Sequence, residues 1–316
     1  METLLAVRDV AMHFELKGGA VLKAVDGVSF DVRRGETLGV VGESGCGKST
    51  LGKTLLRLNE PTAGSALLDG IDLFKLGGSQ LKAARRKMQM IFQDPFSSLN
   101  PRRSAAAIIE QPLVIHGIGG GAERRARVDQ LMAEVGLDVR YRNRYPHQFS
   151  GGQRQRVGIA RALALNPELV ICDEAVSALD VSVRAQIIDL LIALQKDLGL
   201  AMIFISHDLA VVREISHRVL VLYMGRVVEE APREDLYAGA RHPYTLSLLS
   251  AAPIPDPARE RTRQRIRLTG EPPSPLDPEA ALRFLPSKRS SNPEIVYVPA
   301  LIEVAPGHRV AEFDPI

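Results

Sequence analysis

Thr37-Leu38-Gly39-Val40-Val41-Gly42-Glu43-Ser44-Gly45-Cys46-Gly47-Lys48-Ser49-Thr50 is the stretch on which the reading of this chain turns. The run Thr37–Val41 shows no polar alternation, which suits a strand buried on both faces. Gly42 to Ser49 matches G-x-x-x-x-G-K-[ST], and a helical stretch follows from Ser49 to Leu58. A phosphate site needs this order of strand, glycine-rich loop and helix. The glycines let backbone N–H groups turn inward on phosphate oxygens, and the helix N-terminus adds a favourable dipole. Lys48 is expected to reach the β- and γ-phosphates and Ser49 to ligate Mg²⁺. Cys46 reads as a small loop residue rather than a redox sensor.

Working outward, apolar runs of the same kind recur at Met88–Phe92, Leu169–Cys172 and Ala201–Ile205. Between them lie helical stretches at Arg124–Val135, Gln153–Leu165 and Val183–Leu198. The alternation predicts a three-layer α/β domain with a mostly parallel sheet. The run 169–172 ends in Asp173 and Glu174, placed to hold Mg²⁺ through water and to polarise an attacking water, respectively. Gln93 follows a second strand and His207 a fourth. Ligands of open α/β sheets bind beyond the carboxyl ends of the strands, so Gly42, Gln93, Asp173, Glu174 and His207 are expected to converge on one nucleotide.

The rest of the chain sets limits. Its 316 residues, 45% of them hydrophobic, are enough for one large domain or two smaller ones. A net charge of +3 gives no reason to expect a nucleic-acid partner. The basic clusters at 124–127 and 140–144 read as solvated helix faces. Two cysteines, Cys46 and Cys172, are too few for a disulfide scaffold or a four-thiolate site. No secretory signal is read at the start, and no apolar run approaches the roughly 20 residues of a membrane-spanning helix. A reducing cytoplasm is the expected compartment. Residues 94–148 look like a helical insertion, and the prolines from Pro253 to Pro278 predict a linker or extended appendage.

Phe149-Ser150-Gly151-Gly152-Gln153 opens a helix upstream of Asp173. Ser150 reads as an N-cap, and the two glycines permit close backbone approach to an anion. A second anion-binding helix start in a chain that already has a phosphate loop is most simply explained if it serves the γ-phosphate held by another subunit. Taken together, GESGCGKST, FQDP, FSGGQRQR, VICDEAVSALD and ISHD stand in the order of the ATP-binding cassette ATPases, the motor subunits of ABC transporters, and the chain resembles that family from about residue 4 to 250.

The resemblance implies a P-loop NTPase (RecA-like) core with a helical subdomain insertion and a short C-terminal extension. It implies an ATP-binding cassette over 1–255, with the helical subdomain at about 94–160 and the extension over 256–316. It makes Gly42, Glu43, Ser44, Gly45, Cys46, Gly47, Lys48, Ser49 and Thr50 the Walker A loop. Gln93 becomes the Q-loop glutamine, Asp173 the Walker B aspartate and Glu174 the catalytic glutamate. Ser49, Gln93 and Asp173 are the implied metal residues. Ser150, Gly151, Gly152 and Gln153 are implied to act in trans, with Asp180 in the D-loop, His207 as the switch histidine and Phe14 stacking on adenine. The implied reaction is ATP and water to ADP and phosphate, with ATP and Mg²⁺ as cofactors.

Three further segments resemble the dipeptide and oligopeptide importers: 92–102, Arg241-His242-Pro243-Tyr244-Thr245, and Gly270-Glu271-Pro272-Pro273-Ser274-Pro275. The run 22–30 is similar to the second of the two ATPases that such systems carry. This implies a heterodimer with a sister ATP-binding subunit, two transmembrane permeases and an extracytoplasmic substrate-binding protein, at the cytoplasmic face of the inner membrane. Importers of nickel or glutathione use similar machinery, and a soluble cassette ATPase is the reading from a different class. The sequence departs from the family at two places. Ala175 stands where many relatives have proline, which leaves the following turn less constrained. Leu282 and Lys288 stand where many relatives carry the first cysteines of an iron–sulfur site, and no cysteine follows Cys172. No iron–sulfur cluster is therefore expected, since thiolates are the ligands such clusters need.

Overall fold

A computed structural model describes residues 2–94, 98–252, 265, 266, 268, 273–277, 279–289 and 297–315. Residues 95–97 of the FQDPFSS run, the proline-rich stretch 253–264 and 270–272 of the GEPPSP run lie outside the described residues. The chain forms two compact units. The first, which holds the phosphate loop, comprises Thr3–Val32, Thr37–Phe74 and Ser206–Ile316; the second, which holds the Asp173-Glu174 pair, comprises Met1–Glu2, Arg33–Glu36 and Lys75–Ile205.

The phosphate-loop unit begins with β1 (Thr3–Glu15), β2 (Val21–Arg33), β3 (Thr37–Val41), α1 (Lys48–Leu55), β4 (Ala63–Leu68) and β5 (Ile71–Asp72). The carboxylate unit follows with α2 (Gly78–Lys87), β6 (Met88–Ile91), α3 (Ala105–Ile115), α4 (Gly121–Glu134), α5 (Gly151–Leu163), β7 (Leu169–Asp173), α6 (Val181–Leu198) and β8 (Ala201–Ile205). The chain then returns to the first unit as α7 (Leu209–Ile215), β9 (Arg218–Tyr223), β10 (Arg226–Pro232), α8 (Arg233–Gly239), α9 (Pro243–Ala251), β11 (Leu301–Ala305) and β12 (His308–Ala311).

In the carboxylate unit, β6, β7 and β8 run parallel in adjacent register. Every residue of β7 and β8 is buried, as expected for strands covered on both faces and consistent with their unbroken apolar runs. In the phosphate-loop unit, β3 is buried throughout and parallel to β9. A Cβ on Gly39 would stand 2.4 Å from Ser216 Oγ and 2.5 Å from Val212 Cγ1. Only glycine therefore lets α7 lie this close to β3.

The first unit is also rich in antiparallel structure. One sheet has the order β2-β1-β4-β5, with β4 antiparallel to both β1 and β5. None of the strands named from the sequence belongs to it. In β1 the register shifts between Arg8 and Ala11, and a bulge of this kind interrupts the period-two pattern by which a half-buried strand is recognised. Antiparallel strands also extend from β9 through β10 to β12 and β11.

Beyond the proline-rich stretch, the far C-terminus is ordered against the first unit. After a 3₁₀ turn at Ala280–Phe284, the hairpin β11–β12 pairs with β10, placing Val310 opposite Glu229 and Arg309 opposite Glu230. Glu229, with 0% exposure, accepts from His308 Nε2 at 2.8 Å, Arg241 N at 2.8 Å and His242 N at 3.1 Å. Glu230 pairs with Arg218 and Arg309. A carboxylate leaves water only when paired and hydrogen-bonded in this way. No helix among the described residues is long and apolar enough to cross a membrane.

Candidate active site

The phosphate loop leaves β3 at Gly42 and enters α1 at Lys48. Gly42, Gly45 and Gly47 have φ of +152°, +83° and +105°, backbone that residues with a Cβ rarely adopt. Space demands glycine as well: a Cβ on Gly47 would stand 2.0 Å from Ala24 O, and one on Gly42 2.3 Å from Leu222 O. Gly47→Ala is therefore expected to destabilise the protein by about 2 kcal/mol or more, read as a lowered midpoint in a thermal melt. A midpoint equal to that of wild type would contradict the packing described here.

Lys48 is 4% exposed, and its Nζ donates to Gly42 O and Glu43 O, each at 2.8 Å. The ammonium is thus held by the carbonyls of its own loop, pre-positioned rather than extended into solvent. Cys46 is buried beside it, with Sγ 3.8 Å from Nζ. Burial pushes the Cys46 thiol above its ordinary pKa despite the lysine. That favours the thiol over the reactive thiolate, in keeping with a small loop residue. Gly225 N donates to Cys46 O at 3.0 Å, so the β9–β10 turn braces the loop from behind. Ser44 is exposed, and Ser49 and Thr50 are half-buried at the start of α1.

In the carboxylate unit, β7 delivers Asp173, which is 3% exposed, and then Glu174, which is half-buried. Glu174 adopts φ +46°, the left-handed region that costs a non-glycine residue about 1 kcal/mol or more. Its N–H donates to Ile205 O at 3.0 Å, while its carbonyl accepts from Ser177 N at 3.1 Å and Ser177 Oγ at 3.0 Å. These bonds hold the strained turn. Gln93, exposed at the end of β6, donates Nε2 to Glu174 Oε2 at 2.7 Å. The structure thus brings Gln93 and Glu174 into direct contact.

Ser150 caps α5 through a reciprocal pair: Gln153 N donates to Ser150 Oγ at 3.3 Å, and Ser150 N donates to Gln153 Oε1 at 3.1 Å. Neither Gly151 nor Gly152 needs a positive φ. A Cβ on Gly152 would stand 2.3 Å from Val183 Cγ1, so this glycine makes room for α6, a packing role that the sequence reading did not assign. Asp180 caps α6 by accepting from Val183 N at 3.0 Å and Ser182 Oγ at 2.8 Å. These hydrogen bonds, the Val183 N–H first, lower its pKa.

In the phosphate-loop unit, His207 is exposed in the turn between Ser206 and Asp208, and Asp208 caps α7. Phe14 is half-buried near the end of β1. Ser49, Gln93 and Asp173 offer a hydroxyl, an amide oxygen and a carboxylate. Each is a hard oxygen donor of the kind Mg²⁺ takes.

The sequence reading missed the braces of the loop: the Met224–Gly225 turn, Glu229, and Tyr244, whose hydroxyl accepts from Glu43 N at 2.8 Å. A local signal existed, since Pro243 at the first helical position after His242 reads as a helix start. The target of that helix, however, lies 201 residues away.

Comparison with known proteins agrees with the motifs. The family profile described as "ABC transporter" matches residues 25–177, and that described as "Oligopeptide/dipeptide transporter, C-terminal region" matches 228–289. The oligopeptide transport ATP-binding protein AppF of Bacillus subtilis is 49% identical over 98% of this chain and 97% of its own. A Brucella ovis protein, provisionally named a peptide import ATP-binding protein, is 51% identical over 96% of each chain. Among solved structures, the ATP-binding cassette MJ0796, a dimer in a post-hydrolysis state with ADP and Pi, is 33% identical with a TM-score of 0.66, over 72% of this chain and 98% of its own. The cbiO1 protein of Clostridium perfringens, part of the cbiONQ transporter complex, is 26% identical with a TM-score of 0.67, over 78% and 96%. The chain belongs to the ABC transporter family, as one of its ATP-binding cassette ATPases.

Proposed function

We propose that this chain is the motor subunit of an importer of di- or oligopeptides, coupling ATP binding and hydrolysis to uptake through partner permeases. The observation that carries the peptide reading is the match of residues 228–289 to the oligopeptide/dipeptide transporter C-terminal region, beyond what a cassette alone requires. Whole-length relatives named for oligopeptide and peptide import support it. Within this reading, residues 1–255 are the cassette, with its helical subdomain at about 94–160, and 256–316 are the extension.

The proposed chemistry assigns each residue one task. Backbone N–H groups from Gly42 to Thr50 receive the phosphates, Lys48 neutralises the β- and γ-phosphate charge, and Phe14 packs against the adenine. Ser49 and Asp173, with Gln93, would hold Mg²⁺, which when bound offsets phosphate charge. Glu174 takes a proton from the attacking water, and the Gln93 contact fixes the carboxylate that does so. His207 contacts the γ-phosphate. Ser150 to Gln153, together with Asp180, serve the ATP held by a sister subunit. The dimeric state of the MJ0796 cassette supports that arrangement.

ATP closes such a pair only through its preference for the closed state. The partners in this reading are a sister ATPase in a heterodimer, two permeases docking beside Gln93, and an extracytoplasmic binding protein. The chain sits peripherally at the cytoplasmic face of the inner membrane. No iron–sulfur cluster belongs to the reading, because no cysteine follows Cys172 and thiolates are the ligands such clusters need.

The test is uptake of a labelled tripeptide by the native host carrying Glu174→Gln at the chromosomal locus. Uptake is expected to fall to background. Unchanged uptake from a strain whose purified complex no longer hydrolyses ATP would overturn the peptide assignment.

A further inference from the structure

Gly42 C=O and Glu43 N–H are the two ends of one planar peptide group. Lys48 Nζ holds the carbonyl end at 2.8 Å, and the Tyr244 hydroxyl holds the N–H end at 2.8 Å. The lysine of the phosphate loop and a tyrosine from α9 therefore clamp the same plane from opposite sides. Rotation of that plane, which Gly42 at φ +152° permits more freely than any other residue type, would break both bonds together. The tyrosine has 0% exposure, and burial pushes its phenol far above the ordinary tyrosine pKa. The group thus remains a neutral hydroxyl at any physiological pH.

The position of that hydroxyl is set by the C-terminal half of the unit. Glu229 accepts the N–H groups of Arg241 and His242, and His242 Nδ1 in turn accepts from Tyr244 N at 3.2 Å. Burial lowers the His242 pKa to about 4, which keeps the imidazole neutral and Nδ1 available as an acceptor. The ring of Tyr244 meets that of Tyr223 at a centroid distance of 4.6 Å and that of Phe284 at 6.2 Å. Phe284, from the extension, also packs on Tyr223 at 5.2 Å and His242 at 4.9 Å, and Arg283 Nη1 donates to the Tyr223 hydroxyl at 3.4 Å. One aromatic cluster thus runs from the extension to the phosphate loop within a single unit.

We propose that Tyr244 is a positioning residue for the phosphate loop and that the C-terminal extension sets its position through Phe284, an inference that rests on the reading of this loop as the ATP site. The extension then acts on nucleotide affinity from inside its own subunit, without a cluster or a partner. The Arg241–Thr245 run, which the sequence offers only as a subfamily mark, gains a physical task.

The test uses the full-length protein, calorimetric titration with AMP-PNP and Mg²⁺, and thermal melts without nucleotide. Tyr244→Phe keeps the ring and deletes the hydroxyl. It is expected to weaken AMP-PNP binding about five- to tenfold, while the nucleotide-free melting midpoint moves by no more than about 4 °C. Phe284→Leu, a milder change in the cluster, is expected to weaken binding about threefold. The double variant is expected to bind no more weakly than Tyr244→Phe alone, because both act through one hydroxyl. A purely structural tyrosine would lower the midpoint and leave affinity within twofold of wild type, which overturns the proposal. Unchanged affinity in Phe284→Leu overturns the part assigned to the extension. Failure of the wild-type protein to bind AMP-PNP would instead defeat the ATP-site reading itself.

Discussion

Lys48→Ala is expected to weaken ATP binding about 10- to 100-fold and to lower the hydrolysis rate about 100- to 1000-fold, with the protein still folded. The argument starts from burial. An ammonium with 4% exposure has given up most of its water and holds two loop carbonyls in exchange. Such a group is already desolvated before ATP arrives, so its interaction with a phosphate is not offset by a large hydration loss at that moment. Truncation to alanine leaves Gly42 O and Glu43 O without this donor, at a cost of about 1–2 kcal/mol to the folded state. The readouts are an ATPase assay, a titration with AMP-PNP and a thermal melt. Hydrolysis within tenfold of wild type in a folded variant would remove Lys48 from the site.

Glu174→Gln is expected to separate binding from chemistry. The side chain keeps its length and shape, and its amide oxygen can still accept from Gln93 Nε2, the contact made at 2.7 Å by the carboxylate. The left-handed turn is held by backbone bonds to Ile205 and Ser177, which the substitution does not touch. What disappears is the carboxylate proposed as the base. General-base catalysis contributes about 100- to 10,000-fold, so turnover is expected to fall by that factor while AMP-PNP affinity stays within about threefold. The check is single-turnover hydrolysis beside calorimetry on the same preparation. Normal turnover would show that the water is activated elsewhere.

The parts of this protein that could be read before the structure are those where chemistry and local pattern coincide. The unbroken apolar runs at 37–41, 169–172 and 201–205 correspond to β3, β7 and β8 almost residue for residue, because strands buried on both faces need no partner information to be recognised. Ser150 as the cap of α5 is legible for a similar reason: the N–H it accepts from, that of Gln153, lies within one helical turn. Illegible were features that depend on distant chain. The β1–β4 sheet hides behind a bulge and mixed polarity. The packing of Gly152 against Val183 could not be read, because Val183 lies in a different helix. The hairpin β11–β12 carries no signal of its own that it will pair with β10 and set His308 on Glu229. Tyr244 stood in a quoted motif, yet nothing nearby in sequence connects it to Glu43.

The most direct test of the importer account is to purify the tagged Glu174→Gln chain from its native membranes in mild detergent with ATP and Mg²⁺, and to identify its companions by mass spectrometry. The variant suits the task because it is expected to keep nucleotide affinity while hydrolysis is slowed. The account predicts two permease subunits and a sister ATP-binding subunit in stoichiometric amounts. A chain that emerges alone, or with ribosomes or DNA, would contradict the account and leave an ATPase of another kind.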